Sequence, residues 1–370
     1  MLYLLGKFFS WNVLRLLSSH AMLLAMGAMI SGFLTWYILP KLWDKLPHDH
    51  GKAFVKDGAA SKGKPTGAGA LIAMVVLPTM IAVVPPDWSV YGCIVCLFAM
   101  MRFGFLDDAS AVAWGRLKKG LLDLACVAAV AFFMCKGQPV DIWLPFHKGV
   151  LTVGPLWYMA IATAVLFFTV NAMNCSDGVD GLAGSLGLVS LLSLSGLLYL
   201  VIGYAPVANY LLIPCNPNGA RWAIMSMCVT GGIAGYLWHN ANPSLVLMGD
   251  AGSRMIGLAL GIAVLATGNP LFVIVVAPVM LLNGGGGLVK ITLLQALRRL
   301  GFDTTPPFMA SPEQMMRQKG IVRLLHGVRF PLHDHCKYNW NWSNAQVLMR
   351  FVILQSFLVP LLFALFIKVR

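Results

Sequence analysis

The stretch Val153-Gly-Pro-Leu-Trp-Tyr-Met-Ala-Ile-Ala-Thr-Ala-Val-Leu-Phe-Phe-Thr-Val-Asn171-Ala-Met173, followed at once by Asn174-Cys-Ser-Asp177-Gly-Val-Asp180-Gly-Leu-Ala183, decides what kind of molecule this is. About 20 apolar residues in a row, coiled into a helix, match a hydrocarbon core roughly 30 Å thick. The run ends in a cluster of oxygen-bearing side chains, and a second apolar run begins directly after it. Working outward, such runs recur at 19–40, 67–85, 87–106, 120–136, 153–173, 181–203, 221–240, 254–268, 270–298 and 349–368, about ten in all. The chain has 370 residues, of which 58% are hydrophobic and only 11% charged. It therefore reads as one polytopic, all-α integral membrane domain over 1–370, and a soluble domain is excluded. The first 18 residues carry polar and charged positions and no small-residue cleavage site follows them, so the first span reads as a retained anchor.

Lys and Arg fix the orientation. Loops 41–66, 107–119 and 299–348, with Arg298 at the edge, hold about sixteen of them. The alternate set, 1–18, 137–152 and 204–221, holds about five with Lys136 at its edge. The first set is expected in the cytoplasm and both termini in the periplasm. The net charge of +13 is thus spent on topology, and nucleic acid is not an expected partner. Eight cysteines are scattered through the apolar spans, and Cys93-x-x-Cys96 within a span reads as small packing residues.

Acidic residues number only 14, so each placement counts. A charge inside the bilayer costs about 2.5–3.5 kcal/mol on insertion scales, so an Asp near a span needs a partner or a role. Asp107, Asp108, Asp177, Asp180 and Asp250 all fall at the cytoplasmic ends of spans. Asp107-Asp108 closes one span, and alone it reads equally as a solvated stop or as metal or proton chemistry. Asn171, Asn174, Asp177 and Asp180 gather more oxygen donors than a turn requires; capping accounts for one Asp and not for four donors. Asp250 stands between Gly249 and Gly252, near Asn240 and Asn242, where glycines permit close approach by a phosphate or metal. Hard oxygen donors without a matching Cys or His set favour magnesium or manganese over zinc, and magnesium held by one or two carboxylates plus phosphates suits phosphoryl transfer.

The expected cytoplasmic loops 41–66, 107–119, 171–180, 240–253 and 299–348 would together form the site. The first ends in Lys62-Gly-Lys-Pro-Thr66-Gly-Ala-Gly69, which could bind phosphate but is not a P-loop, because the Lys precedes the glycines. Lys119 closes the second and is counted with Lys62 and Thr66 as substrate-binding. The last, about fifty residues long, carries His333-Asp334-His335. Histidines at i and i+2 do not share a helix face, so a loop pinching a ligand is expected there, for acid–base work or diphosphate binding. Zinc with Cys336 is a minor alternative. Within 270–298, Asn283 and the run Gly284–Gly287 predict a broken or bent ninth helix.

These segments, in this order, resemble the polyprenyl-phosphate N-acetylhexosamine-1-phosphate transferase superfamily, and within it most closely the phospho-N-acetylmuramoyl-pentapeptide branch. The resemblance is carried from end to end by Lys62-Gly-Lys-Pro-Thr, Gly104-Phe-Leu-Asp107-Asp108, Asn171 through Ala183, Met248-Gly-Asp250-Ala-Gly-Ser253, Pro331-Leu-His333-Asp-His335 and Lys368-Val-Arg370. It implies transfer of phospho-N-acetylmuramoyl-pentapeptide from a UDP carrier to undecaprenyl phosphate in a bacterial inner membrane, giving lipid I and UMP for peptidoglycan, with magnesium as cofactor. It implies Asp250 and Asn171 at the metal, and Asp107 and Asp108 at the lipid phosphate. Asp177, Asp180 and Asn240 would surround the uridine diphosphate, with His333, His335 and Lys62 on the substrate side and Asn174 counted as substrate-binding. Asp107, Asp108, Asp177, His333 and His335 would be catalytic. A homodimer is an assembly open to it.

The chain departs from the family pattern at Leu247, where an aromatic residue is usual, at Asp334 in the histidine motif, at Lys290 in place of Glu, at Gly67-Ala68, and over about 301–325, which looks like an insertion. A UDP-N-acetylglucosamine transferase is the rival within the superfamily. A secondary transporter is the rival of another class, but it should carry its acids near the midplane and repeat its halves.

Overall fold

The computed structural model describes residues 1–8, 16–49, 51, 61–110, 112, 114–145, 147, 149–305 and 320–368. Part of the first basic loop (52–60), residues 306–319 of the 301–325 segment and the terminal Val369-Arg370 lie outside the described residues. After a short helix Leu2–Phe8, the main helices are α1 His20–Leu42, α2 Gly69–Val83, α3 Trp88–Asp108, α4 Arg116–Cys135, α5 Pro155–Ser176 and α6 Leu182–Gly196, the last continued by a wide turn Leu197–Ile202. Then follow α7 Gly219–Asn240, α8 Gly249–Ala266, α9 Gly286–Arg299, α10 Gly320–Gly327, α11 Leu332–Asn339 and α12 Asn344–Lys368. Strand structure among the described residues is one hairpin pairing Val140–Ile142 with Leu151–Val153.

Seven of the described helical runs are long and apolar enough to cross a membrane, so the protein is an all-α integral membrane protein. Helices also form over the three other expected runs. Of these α2 is short, at 15 residues, and α4 opens on Arg116, Lys118 and Lys119 and carries Asp123. At the centre stands α8, in which every residue from Ala251 to Ala266 is buried. It is an apolar helix surrounded by α3, α5, α6 and α2, the arrangement expected of a segment hydrophobic on all sides. Helices α1 and α7 pack backbone to backbone: a Cβ on Gly231 would overlap the Ala28 carbonyl, and one on Gly235 the Gly32 carbonyl. Small residues four apart let two membrane helices touch backbone to backbone.

The ninth span is broken as expected, beginning ahead of the glycines and running into the first two of them. The helix stops at Ala277, with φ −136°, just before Pro278, and then opens into a wide turn over Leu281–Gly285 before α9. The freed backbone groups are met by side chains. Fully buried Gln355 of α12 accepts from the Met280 N–H (3.2 Å) and donates to the Leu186 carbonyl (2.7 Å) and Ser190 Oγ (3.0 Å). Ser190 in turn donates to the Val276 carbonyl (2.8 Å). Interrupted helices persist in membranes only where neighbours re-satisfy the backbone in this way. Gly284 and Gly286 serve contact: a Cβ on them would strike the Ala172 carbonyl and the Phe330 ring.

Two of the helices that begin earlier than their apolar runs do so on a side-chain cap. In α12, Ser343 Oγ accepts from the Gln346 N–H while the Gln346 side chain accepts from the Ser343 N–H, a capping box that starts the helix before the apolar run at 349. In α8 the helix starts at Gly249 instead of 254, for a reason that belongs to the site. Met1 and the last turns of α12 lie at the pole of the bundle away from that site: the Met1 amine donates to the Ile81 and Ala82 carbonyls at the far end of α2, and Phe366 packs on Trp143 and Phe272.

Candidate active site

Three backbone segments meet at one point: the start of α2, the end of α3 and the start of α8. A Cβ on Gly69 would strike Gly252, one on Gly104 would strike Asp250 and Ala251, and one on Gly249 would strike Asp108. Gly249 also has φ +70°, which a residue with a side chain adopts only under strain. The glycines around Asp250 therefore admit other parts of this protein's backbone, which corrects the reading that they leave room for a ligand. With the segments so close, Asp108 accepts from the backbone N–H groups of Asp250 (2.9 Å) and Ala251 (3.0 Å). A carboxylate on the first N–H groups of a helix caps it and favours its dipole, which starts α8 at the glycine.

Asp107 turns the other way. Its Oδ1 accepts from the Trp114 N–H (2.8 Å), and its Oδ2 pairs with the Lys119 ammonium. The same ammonium lies 3.1 Å from Asp250 Oδ2, so one cation bridges two carboxylates from different helices. Asp250 is fixed further by Asn174, whose Nδ2 donates to Oδ1 (3.0 Å) and to Ser253 Oγ (3.0 Å), and by the Arg254 guanidinium 3.1 Å from Oδ2. Arg254 is itself buried and pairs at 2.9 Å with Asp123 of α4.

Of these groups Asp107, Asp108, Lys119 and Asp250 line one side of a cavity of about 1010 Å³, with Arg254 and Asp123 behind them. Thr66, Asn174, Asp177, Asp180, Asn240 and His333 line it as well. The Pro65–Gly69 strip is tied in by its backbone: Leu247 N–H donates to Pro65 O (2.8 Å), while Ala68 and Gly69 N–H donate to the Leu247 and Met248 carbonyls (both 3.1 Å). The Pro-Thr-Gly run is thus a splint between two loops. Asn240 is committed to backbone at both ends, accepting from Gly181 N–H (2.7 Å) and donating to the Val246 carbonyl (2.7 Å). Asp180 accepts from Ser244 N–H (3.1 Å), and Lys64 donates to Ser244 Oγ (3.1 Å).

Three expected site residues do not line the cavity. Lys62 is exposed, and Lys64 lines the cavity in its stead. Asn171 turns its amide back to the Phe167 carbonyl one turn earlier (2.9 Å), and Asn174 stands beside Asp250. The histidine segment is the helix α11, not a pinching loop, and two positions at i and i+2 on a helix diverge by about 200°. So His333 is buried against the cavity, whereas His335 accepts from the Arg329 N–H (3.2 Å) and packs edge-on against Trp340.

His333 has a defined tautomer. Its backbone N–H donates to Asn283 Oδ1 (2.9 Å), which fixes that atom as oxygen, and the ring Nδ1 lies 3.1 Å from the same atom. An acceptor there places the proton on Nδ1 and the lone pair on Nε2. Asp334 Oδ1 stands 3.8 Å from Nε2, so a proton gained on Nε2 would meet a carboxylate. Cys336 is buried, and burial pushes its thiol up, away from the thiolate that zinc requires.

The sequence reading missed Asp123, Arg254, Lys64 and the role of Asn283. The first two had a signal: opposite charges standing inside or at the rim of apolar runs, 120–136 and 254–268, each in need of a partner.

A sequence profile of glycosyl transferase family 4 matches residues 90–268, which hold Asp107, Asp108, Asp177, Asp180 and Asp250. The phospho-N-acetylmuramoyl-pentapeptide-transferase of Treponema pallidum (strain Nichols) is 39% identical over 360 residues, covering 96% of this chain and 93% of that protein. The proteins of the same description from Helicobacter acinonychis and Aliarcobacter butzleri are 28% and 24% identical, with both chains covered in full. On the strength of the end-to-end match to the treponemal protein, the chain belongs to the phospho-N-acetylmuramoyl-pentapeptide-transferase family.

Proposed function

We propose that the protein transfers phospho-N-acetylmuramoyl-pentapeptide from UDP to undecaprenyl phosphate, releasing UMP and forming lipid I, with the cavity opening to the cytoplasm of a bacterial inner membrane. The observation that carries the reading is the bridge from Asp107 through Lys119 to Asp250, a seat already shaped for positive charge between two carboxylates. Among the described residues no group of three or more His, Cys, Asp or Glu side chains is set to enclose a metal alone. Such a donor set fits magnesium shared with substrate phosphates better than a protein-only cage. Asp250 would hold it, and Asn174 supports Asp250 where the sequence suggested Asn171. Magnesium, when bound, makes the diphosphate more electrophilic and stabilises the leaving UMP.

In the transfer, an oxygen of the lipid phosphate forms a bond to the sugar-bearing phosphorus while the bond from that phosphorus to the UMP oxygen breaks. Asp107 lines the cavity and orients the acceptor phosphate; Asp108, with both oxygens on backbone N–H groups, holds the start of α8. His333, with its lone pair on Nε2, faces the donor side beside Asp177 and Asp180. A route through an aspartyl-phosphate balances as well. The acids lie at helix ends, which supports a transferase and not an ion relay through the midplane.

The test is a donor swap. Purified protein with magnesium and undecaprenyl phosphate should release UMP from UDP-N-acetylmuramoyl-pentapeptide. Release from UDP-N-acetylglucosamine alone would overturn the assignment.

A further inference from the structure

We propose that Arg254, anchored by Asp123, is a positioning residue for Asp250 that also keeps a divalent cation from settling on Asp250 before the diphosphate arrives. This rests on the reading that Asp250 holds the metal. Arg254 follows Asp250 by one turn of α8 and is 5% exposed, and Asp123 on α4 is 1% exposed. The two outer nitrogens of the guanidinium reach the two carboxylates, Nη1 to Asp123 Oδ1 (2.9 Å) and Nη2 to Asp250 Oδ2 (3.1 Å), while the buried Nε has no partner.

A buried ion pair with an unsatisfied donor is a poor way to stabilise a helix contact; apolar side chains of similar size do so at least as well. What the pair supplies is geometry. A planar fork pinned between carboxylates on two helices cannot swivel, whereas an ammonium on a flexible stem can.

The two cations on Asp250 Oδ2 are therefore unequal. Lys119 is 24% exposed and lines the cavity, so it can swing aside for a metal. Arg254 cannot. A bare divalent ion approaching Asp250 meets a fixed positive charge within a few ångströms in a weakly screened setting, and the negative charge of a diphosphate is what offsets it. Metal and nucleotide thus enter together, and Asp250 keeps one orientation throughout.

The experiment uses full-length protein in nanodiscs and Mn2+ as the probe, followed by electron paramagnetic resonance without nucleotide, alongside UMP release. Relative to wild type, Asp123→Leu/Arg254→Met should bind Mn2+ about tenfold more tightly and show a roughly tenfold lower kcat. Asp250→Asn should remove Mn2+ binding. Equal Mn2+ affinity in wild type and the double variant overturns the inference. Mn2+ binding that survives Asp250→Asn overturns the placement of the metal instead. Should the double variant not fold, Arg254→Lys replaces it. Its flexible ammonium should tighten Mn2+ binding by a smaller factor, and an unchanged affinity there overturns the inference equally.

Discussion

On one side of the cavity, Asp107 and Asp250 are matched inside the protein by Lys119 and Arg254, and Asp108 by two backbone N–H groups. On the other side, Asp180 and Asn240 are held by backbone hydrogen bonds, and His333 by a neutral amide. The first wall is an electrostatic lattice in which two cations and two backbone N–H groups hold the carboxylates before any ligand arrives, so its side chains are fixed mainly by charge. The second is positioned mainly by backbone groups and a neutral amide, with the Asp334 carboxylate 3.8 Å from the His333 imidazole. On the proposed reading, in which the site gathers a cation and an anion at one place, both kinds of wall are useful.

The largest break in that comparison should come from Asp250→Asn. It should lower UMP release by about 10³-fold or more, the scale set by removing one preorganised group at developing charge, while the protein still elutes as a single species. Unchanged turnover would take Asp250 out of the reaction. Next comes Asp123→Leu, which strands a buried guanidinium and should destabilise by about 3–5 kcal/mol in thermal unfolding. The double change Asp123→Leu/Arg254→Met should recover most of that. If the single variant is as stable as the double, the pair is not a buried ion pair in the membrane-embedded protein.

The second wall should respond differently. Asn283→Ala, which removes the oxygen that sets the tautomer of His333, should cost about 10–100-fold in kcat, as losing an outer partner of a working histidine does elsewhere. His335→Ala should change kcat by less than about threefold, within the surface range. Equal effects would show that both histidines work. The smallest effect is expected at the far pole, at Asp87. It caps α3 by accepting from the Ser89 N–H (2.9 Å) and pairs with Arg221 and Lys136. Partial burial pushes its carboxyl up, but the Ser89 N–H and the two cations outweigh this and hold it below the usual value of 3.8. A lowered native pKa means stability that is complete above that ordinary value and is lost as pH falls through the lower one. Asp87→Asn keeps a capping oxygen and loses only the charge, so it should cost about 0.5 kcal/mol at pH 6 and progressively less below pH 4, read as the gap between the two melting curves.

The membrane class was legible from the apolar runs alone, and the three carboxylate clusters from their scarcity and their position at helix ends. Helix starts were less legible, because capping by Asp108 comes from another helix and the Ser343-x-x-Gln346 box is a short-range signal outside the apolar run. The histidine segment was misjudged in conformation but rightly in geometry, since the divergence of i and i+2 is what separates His333 from His335. Asn171 and Asn174 could not be told apart, as one turn of helix decides which of them meets α8. Asp123 and Arg254 sit 131 residues apart in sequence, and only the packing of α4 on α8 makes them a pair.

Asn283 belongs at once to the wide turn in the broken span and to the hydrogen bonds of His333. The imidazole is therefore referenced to the membrane-embedded frame of the protein and not to the long chain that delivers it. A change in the wide turn of the ninth span would therefore be felt at the imidazole of His333, 50 residues away in the sequence.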